Sequence, residues 1–416
     1  MARSDAIVLG AGVVGTCVAL HLAKRGLSVA LLDRNGAGEQ TSFGNAGIIE
    51  GNTIFPPAFP ADLWKLLRIA TKRAPEANYH LTFLPRVLPW LLAFRAASQA
   101  ERLVETAHLI RPLFASAVAE HEALLAEAGA SHYLRKTGWL KIYRSSVSFE
   151  RLKGEFDVAA EFGLTLKPLD TGGAQALEPS LAPVFPHAVF WPEAASVSNP
   201  YGVTHAYLGR LRALGGITVA GDALSLHRRG QSWRVETNEG GIDAPAVVIA
   251  LGPWAGDFLK SFGLKLPLAV KRGYHRHFRA QGNAQLARPV LDADVGYVIT
   301  PMEMGIRMTS GVEFAPRDAV PTPVQFDRVL PRARELFPLG DRADDKTWMG
   351  SRPCFPDSRP AIGRAPGVAG MWLAIGHAHW GLTLGPATGR MLAEMMTGAT
   401  PFVDPAPYRA ERFTSA

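Results

Sequence analysis

The stretch Ala6-Ile7-Val8-Leu9-Gly10-Ala11-Gly12-Val13-Val14-Gly15 stands near the start of the chain and decides its fold. Four consecutive apolar residues are typical of a parallel strand that is buried on both faces. Gly10 permits a sharp turn after the strand, Gly12 lets the backbone approach a pyrophosphate, and Gly15 lets the next helix pack on the strand. We predict that this helix runs over 13–25 and ends at Gly26.

A second apolar strand over 29–32 delivers Asp33 to its carboxyl end. A carboxylate at that position can accept hydrogen bonds from both hydroxyls of an adenosine ribose. Strand, glycines, helix, strand and acid follow one another in the order of a dinucleotide-binding unit. This order is far more specific than the glycine motif alone.

A second glycine-rich turn lies near the other end of the chain, where strand 371–375 leads into Gly376-His377-Ala378-His379-Trp380-Gly381-Leu382-Thr383 and then a helix over about 383–396. A nicotinamide enzyme needs only the first turn, whereas a flavin enzyme also needs a place for the isoalloxazine ring. The pair of turns therefore predicts FAD. The free amides at the start of the last helix would stabilise negative charge on the reduced ring.

Further cofactor contacts are expected from the loop 36–48 and from the strand 246–250. Thr41 and Ser42 can donate to phosphate oxygens, and the strand ends in a glycine turn where open α/β sheets bind ligands. The predicted cofactor-binding residues are Gly10, Ala11, Gly12, Val13, Val14, Gly15, Asp33, Arg34, Thr41, Ser42, Asn45, Ala46, Gly47, Ile48, Leu224, Ala250, Gly252, Trp254, Gly376, Gly381, Leu382 and Thr383.

The remaining pattern predicts an α/β fold with two lobes. Strand candidates over 138–143, 295–301 and 305–310 read as an antiparallel sheet, and 97–130 reads as a pair of helices. We therefore predict a Rossmann-like FAD-binding lobe (1–53, 196–265 and 353–416) and a substrate lobe with an antiparallel sheet plus helices (54–195 and 266–352). The chain would cross between the lobes more than once.

The composition excludes several classes of protein. At 416 residues, with 47% hydrophobic and 19% charged residues, the chain can bury ample core, and its net charge of +7 is spread without a Lys/Arg tract. Nucleic acid is therefore not an expected partner, whereas an anionic substrate and an anionic membrane surface both fit. Cys17 and Cys354 lack metal-ligand spacing, so we expect no metal and a reducing compartment. Asp5 interrupts the basic start, which argues against a secretory signal and favours the cytoplasm.

The segment 54–95 leaves two interpretations open. It mixes prolines and aromatic residues with six basic and two acidic side chains, and its apolar run over 88–94 is too short to span a bilayer. The segment could touch the inner face of a membrane or a quinone. Alternatively, it forms helices packed within the substrate lobe.

The segment 350–363 carries Arg352 among three prolines. An arginine fixed in a stiff segment is suited to hold a carboxylate through two parallel hydrogen bonds, although it could instead pair with Asp357. In the closing turn, His377 is expected to be a structural donor. His379 and Trp380 could line the substrate side of the flavin.

With these residues in place, the chain resembles the FAD-dependent D-amino acid dehydrogenases of the D-amino acid oxidase superfamily, which also includes glycine oxidase. The resemblance spans nearly the whole chain and rests on the N-terminal GAGVVG motif with Asp33, the loop 41–47, the stretch 250–254, the segment 352–357 and the closing turn. It implies that Arg352 lies near the substrate carboxylate and that Tyr274 is a second carboxylate contact. Relatives with covalent flavin carry a cysteine where this chain has Gly350, so non-covalent FAD is implied.

Two departures affect the expected substrate. The dehydrogenases usually have a threonine where this chain has Phe355, and their closing turn lacks the His379-Trp380 pair. The resemblance implies hydride transfer from the substrate Cα to the flavin, followed by hydrolysis of the imine to a 2-oxo acid and ammonia, with a quinone or carrier protein rather than NAD as electron acceptor. The predicted catalytic residues are Arg352, Tyr274, His379 and Trp380.

Three alternatives remain. The substrate could be a secondary amine such as D-proline or D-hydroxyproline, or glycine or sarcosine. The chain could also be a flavin-binding subunit of a larger complex. A flavin monooxygenase is disfavoured because its Gly-Asp-Ala-type motif would open the last helix, whereas Gly221-Asp222-Ala223 lies mid-chain.

Overall fold

The computed structural model describes residues 2–414, with the side chains of Ala2 and Lys65 left out of the description. The helices are α1 (Val13–Lys24), α2 (Leu63–Ala70), α3 (Leu84–Ala97), α4 (Ala100–Ala115), α5 (Ala117–Glu127), α6 (Ser146–Glu150), α7 (Lys153–Glu161), α8 (Thr171–Leu177), α9 (Pro200–Ala213), α10 (Ala255–Lys260), α11 (Val324–Leu336) and α12 (Gly381–Met396).

The strands are β1 (Ala2–Arg3), β2 (Ala6–Leu9), β3 (Val29–Asp33), β4 (Ile48–Ile49), β5 (Ala77–Tyr79), β6 (Leu134–Arg135), β7 (Trp139–Tyr143), β8 (Lys167–Asp170), β9 (His187–Trp191), β10 (Ala195–Val197), β11 (Ile217–Ala220), β12 (His227–Arg229), β13 (Ser232–Thr237), β14 (Gly240–Ala244), β15 (Ala246–Ile249), β16 (Ala269–Ala280), β17 (Val290–Asp292), β18 (Tyr297–Met302), β19 (Gly305–Phe314), β20 (Leu339–Arg342), β21 (Trp348–Cys354), β22 (Ala361–Arg364) and β23 (Met371–Ile375).

A six-stranded sheet in the order β11-β3-β2-β15-β23-β22 brings the two ends of the chain together. Its pairings are parallel except for the hairpin of β22 with β23. All four residues of β2 are completely buried, as the apolar run predicted. Because β15 pairs with both β2 and β23, the carboxyl ends of these three strands lie side by side.

Layers cover both faces of this sheet. One face packs against α1, α9 and α12, and also against α4 and α5 from the segment 100–127. Helices α1 and α12 approach closely because Gly389 has no side chain, and a Cβ there would lie 2.6 Å from the carbonyl oxygen of Cys17. The other face packs against the small sheet β1-β14-β13-β12 through Trp233 and Val235.

A ten-stranded sheet covers the carboxyl edge of the first. Its main path is β20-β16-β19-β18-β17-β7-β9-β8, with β21 added to β16 and β5 added to β19. The pairings are antiparallel apart from β17 with β7 and β19 with β5. The predicted fold class, a Rossmann-like unit combined with a largely antiparallel sheet, is confirmed. The proposed lobe boundaries stay a prediction, and the segment 100–127, assigned to the substrate lobe, packs on the nucleotide-type sheet.

The segment 54–95 forms α2, β5 and α3. In α3 the side chains of Val87, Trp90 and Phe94 are buried, as expected of a helix packed on the protein. In α2 the side chains of Leu63 and Trp64 are 80% and 76% exposed. Among the described residues, no helix is long and apolar enough to cross a membrane.

Candidate active site

A cavity of about 1290 Å³ lies between the carboxyl edge of the six-stranded sheet and one face of the ten-stranded sheet. This volume exceeds the 300–1,000 Å³ that is usual for one small ligand, so it can hold a dinucleotide and a substrate together. Most of the predicted site residues line it, namely Gly10, Gly12, Val13, Val14, Asp33, Arg34, Thr41, Ser42, Asn45, Ala46, Ile48, Leu224, Ala250, Gly252, Trp254, Tyr274, Arg352, Gly376, His379, Trp380, Gly381 and Leu382. The other four predicted cofactor-binding residues, Ala11, Gly15, Gly47 and Thr383, are not among the residues that line it.

The first glycine turn is a cradle that side chains would fill. Gly10 adopts φ +103°, and a Cβ there would lie 2.5 Å from the carbonyl oxygen of Ala250. A Cβ on Gly15 would lie 1.9 Å from the carbonyl oxygen of Gly10, so only glycine allows α1 to begin this close to β2. Gly12 offers no side chain to cap α1, and its backbone faces the cavity. The start of this helix therefore presents partial positive charge to a pyrophosphate.

Asp33 is held in place at the end of β3. Its carboxylate accepts hydrogen bonds from the amides of Ala11 at 2.8 Å and Asn35 at 2.9 Å. Both oxygens keep capacity to accept from a ribose. Beyond it, Arg34 lies over the indole of Trp254, and Leu224 is 73% exposed within the cavity wall. These residues offer an apolar and cationic surface at the adenosine end.

The loop 41–48 joins the two sheets, and its hydroxyl groups are partly engaged within the protein. The hydroxyl of Thr41 donates to the carbonyl oxygen of Ser351 at 2.9 Å. This proton is therefore not available for the phosphate contact that was predicted for Thr41. Ser42 accepts from the amide of Val13 at 2.9 Å and keeps its own proton to donate. Asn45 donates to the carbonyl oxygen of His379 at 3.0 Å and thereby ties the loop to the closing turn.

Arg307 of β19, which sequence reasoning missed, holds the same loop from the sheet side. Its guanidinium donates to the carbonyl oxygens of Phe43 at 2.9 Å and Asn45 at 2.6 Å, and to His277 Nε2 at 3.0 Å. His277 Nδ1 in turn lies 3.0 Å from Asp344. His275, His277 and Asp344 lie close enough together to resemble a set of metal ligands. However, Arg307 already occupies the free electron pair of His277 Nε2 and places a cation beside it, so we assign the group to positioning the loop.

The closing turn is strained and tightly packed. Gly376 adopts φ +79°, and a Cβ there would lie 2.2 Å from the ring of Phe355. Ala378 adopts the left-handed φ of +52° while its amide donates to the carbonyl oxygen of Pro353 at 2.8 Å. His377 is buried against the hydroxyl of Thr388, and burial lowers its pKa to about 3. Its place in the turn is thus that of a neutral structural group. No side chain caps the start of α12, which leaves its first amides facing the cavity.

Sequence reasoning also missed Glu50, which lies next to His379. Its carboxyl accepts from Thr53 at 2.9 Å and from the indole of Trp380 at 3.3 Å, and it lies 3.8 Å from His379 Nε2. Burial raises the pKa of Glu50. Burial, with Arg352 and Lys271 nearby, lowers the pKa of His379 to about 3. Two groups able to hold a proton thus face each other in the cavity.

Trp380 borders the cavity, but most of its side chain packs in the core. Its side chain is 1% exposed, and its ring stands edge-on to Phe114 at 4.9 Å within the helical core. The indole reaches the site through its hydrogen bond to Glu50, so its contribution is to orient that carboxyl.

Arg352 is placed as a carboxylate-binding residue should be. It projects from β21 across Gly273, where a Cβ would lie 2.4 Å from its guanidinium, and it donates to the carbonyl oxygen of Gly311 at 3.1 Å. The alternative pairing with Asp357 does not occur, because Asp357 pairs with Arg359 and Arg412. Among the described residues no carboxylate lies within ion-pair distance of Arg352. Desolvation disfavours the charged guanidinium and lowers its pKa. A bound carboxylate would stabilise that charge.

Tyr274 points away from Arg352. Along β16, alternation places the side chains of Lys271 and Arg272 on opposite faces of the sheet, and Tyr274, although it borders the cavity, directs its hydroxyl to the side of Arg272. The Tyr274 hydroxyl donates to Glu313 at 2.5 Å and accepts from Arg272 at 2.9 Å. We therefore assign this hydroxyl a structural role instead of the carboxylate contact that the resemblance implied.

The position implied for a covalent cysteine is closed. A Cβ on Gly350 would lie 1.9 Å from the ring of Trp348, which also covers Gly44. Cys354 lines the cavity elsewhere, and burial raises the pKa of its thiol. The expectation of non-covalent FAD stays a prediction that agrees with this packing.

Known proteins resemble the chain over almost its full length. The profile of a family described as "FAD dependent oxidoreductase" matches residues 5–395. The chain is 29% identical over 416 residues to a D-amino-acid oxidase of Bradyrhizobium diazoefficiens, covering 98% of each chain. It is 30% identical to a D-amino acid dehydrogenase of Paramagnetospirillum magneticum, covering 98% of this chain and 99% of the relative. The crystal structure of glycine oxidase from Geobacillus kaustophilus superposes with a TM-score of 0.76 at 23% identity, covering 99% of both chains.

Proposed function

The chain belongs to the FAD dependent oxidoreductase family, and we propose that, as an FAD-dependent amino acid oxidoreductase, it oxidatively deaminates a D-amino acid. The substrate loses a hydride from Cα and a proton from nitrogen, and the resulting imine takes up water to give a 2-oxo acid and ammonia. Bound FAD supplies the two-electron acceptor for this oxidation. The glycine cradle, Asp33 and the uncapped helix starts are the residues that would hold it.

The observation that carries the proposal is the partly buried guanidinium of Arg352, which lacks a carboxylate partner among the described residues. A partly buried arginine of this kind favours a substrate with a carboxylate group, because two parallel hydrogen bonds would restore its lost solvation. The guanidinium fills the space above Gly273, and the carbonyl oxygen of Gly311 accepts one of its hydrogen bonds. Such a contact would fix the substrate and orient its Cα hydrogen.

Glu50 and His379 support the proton step. The amine must be neutral before it can lose a hydride, and most amino acid substrate carries an ammonium group at neutral pH. Glu50, whose pKa is raised and which lies 3.8 Å from the neutral ring of His379, offers a carboxylate that can accept this proton within the cavity.

The D configuration rests on the relatives alone. The two relatives compared above are named for D-amino acids at 29% and 30% identity. Because the aromatic residues Trp348 and Phe55 also line the cavity, a cyclic secondary amine such as D-proline stays the alternative substrate.

The test is flavin reduction under anaerobic conditions. We expect one D-amino acid of a panel that includes D-proline, glycine and sarcosine to bleach the flavin band of the purified holoprotein. Replacing Arg352 by Met should weaken substrate binding by about 100-fold or more, since a bidentate charged contact is lost. Bleaching by the L enantiomers alone would reject the D configuration, and bleaching by no amine would reject the proposed reaction and favour a subunit role.

For the electron acceptor we propose a quinone or carrier protein, reached from a membrane surface that α2 touches. Leu63, Trp64 and Leu67 are 80%, 76% and 51% exposed, and Arg68 and Lys72 follow them. Exposed apolar residues beside basic ones suit an anionic lipid interface.

Co-sedimentation with phosphatidylglycerol vesicles tests this contact. The double variant Leu63→Ser, Trp64→Ser should lose binding, whereas Val147→Ser, at a residue 60% exposed elsewhere, should keep it. Equal binding by both variants would exclude α2 as the contact.

A further inference from the structure

Lys271 lies directly beside Arg352 in the cavity wall. The two residues are partners in the antiparallel pairing of β16 with β21, so their side chains leave the same face of the sheet. Directly paired residues have Cβ atoms about 4.5–5.5 Å apart. Both residues line the cavity that holds the first glycine turn and the closing turn.

The ammonium of Lys271 is enclosed by aromatic rings. It lies 4.7 Å from the centroid of Trp90 and 4.1 Å from that of Phe94, both on α3. Trp90 is fixed in turn by donating to the carbonyl oxygen of Cys354 at 3.1 Å. Ring faces attract a cation but offer it no hydrogen-bond acceptor.

Lys271 has no anionic partner within the described part of the chain. No carboxylate lies within ion-pair distance of its ammonium, and no hydrogen bond to it occurs there. By contrast, Arg272 on the same strand lies 2.9 Å from Glu313, and Arg144, which follows β7, lies 2.7 Å from Asp292. Desolvation, with the charge of Arg352 beside it, lowers the pKa of Lys271.

Arg352 and Lys271 are two neighbouring cations without a counter-charge, so a ligand with two negative charges would neutralise both. The planar fork of one arginine satisfies the two oxygens of one carboxylate. The compact ammonium of Lys271 then has no counter-charge unless the ligand carries a second anionic group. A neutral side chain at this place would leave the cation desolvated and unpaired.

We propose that Lys271 is a second anion-binding residue and that the substrate is an acidic D-amino acid, with its α-carboxylate on Arg352 and its side-chain carboxylate on Lys271. This inference rests on the proposed function for the reaction, but the anion pair can be tested without turnover. Trp90 and Phe94 would exclude water from the second carboxylate and strengthen its contact with the ammonium.

The experiment compares D-glutamate with its neutral analogue D-glutamine in anaerobic reduction of the holoenzyme. D-Glutamate should reduce the flavin with an apparent affinity about 10- to 100-fold better than that of D-glutamine, as expected of a charged hydrogen bond. Lys271→Met should remove most of this preference, and Lys271→Arg should retain part of it. Lys265→Met, which removes a charge from the exposed surface, is the matched control.

Binding without turnover gives the second readout. Glutarate, with two carboxylates, should perturb the flavin spectrum at concentrations about tenfold or more below those of butyrate, and Lys271→Met should abolish the difference. This result would support the anion pair even if no D-amino acid reduced the flavin, which would count against the proposed function only. The inference is overturned if wild-type protein treats each pair of compounds alike. It is also overturned if Lys271→Met weakens D-glutamine as much as D-glutamate, because Lys271 would then serve the α-carboxylate.

Discussion

Single residues set the proton chemistry of the cavity, and Glu50 is the clearest case. Its carboxyl is shielded from solvent and receives hydrogen bonds from Thr53 and Trp380, yet its pKa is raised because burial outweighs these bonds. It is therefore ionised only at a pH above the usual range for a glutamate.

Replacing Glu50 by Gln should change the pH dependence of flavin reduction. If the ionised carboxylate takes the substrate proton, the rate in the native protein rises with pH through the raised pKa of Glu50. The variant should be slower by about 10- to 100-fold and should lack this rising limb. Anaerobic stopped-flow reduction from pH 5 to 9 measures both effects, with Glu239→Gln on an exposed turn as control. If the rising limb of the pH profile is unchanged in the variant, a group other than Glu50 accepts the substrate proton.

Residues whose partners are close in sequence were predictable, whereas those with distant partners were not. Gly10, Gly12 and Asp33 serve one local turn, so their order along the chain revealed their place. The surroundings of Trp380 and Tyr274 are supplied by Phe114 and Glu313, from segments far away in the chain. Their substrate roles stay predictions that these surroundings do not favour, and Glu50, Lys271 and Arg307 were overlooked because their partners are equally distant in the chain.

Among the elements, the loop 41–48 depends on a strand of the other sheet. Arg307 satisfies two of its carbonyl oxygens at once, and the chain of Asp344 and His277 fixes the guanidinium. The strands and helices themselves followed their periodicity, as β23 and α1 did to within one residue at each end. A loop has no such periodicity, and its conformation depends on contacts that local sequence does not encode.

Replacing Arg307 by Met should weaken FAD binding by about tenfold or more, because two buried carbonyl oxygens lose their donor and the loop loosens. Titration of apoprotein with FAD, followed by flavin fluorescence, measures the dissociation constant. Arg276→Met is the matched control, since Arg276 projects from the opposite face of the sheet and pairs with Asp327 at 2.8 Å. An equal loss of affinity in both variants would mean that the sheet, and not the clamp on the loop, had been damaged.

For the molecule as a whole, buried histidines link folding to pH. Burial lowers the pKa to about 3 for His21, about 4 for His121, about 2 for His275 and about 3 for His377. These rings are neutral in the folded protein, while an unfolded histidine takes up a proton near pH 6.5. The folded state is therefore fully favoured above that pH and loses stability as pH falls toward the lowered values.

We expect the free energy of unfolding to decrease below about pH 6.5, with each of these histidines contributing a slope of about 1.4 kcal/mol per pH unit. Denaturant titrations at pH 7.5, 6.5 and 5.5 measure the effect. When the free energy of unfolding of His377→Asn is compared with its own value at pH 7.5, it should decrease less with falling pH than that of the wild type. A parallel decline in the variant would contradict a buried neutral His377.

The central position of β15 between β2 and β23 bears on how the protein is made. On the ribosome, the glycine turn at Gly10 emerges early, yet its neighbours at the cavity, the strand after Pro245 and the turn at Gly376, emerge hundreds of residues later. A nascent chain that stops before Met371 leaves one edge of β15 unpaired and lacks α12 against α1. Tight flavin capture is then an event that follows synthesis, and flavin content in a cell extract would count finished, correctly closed molecules.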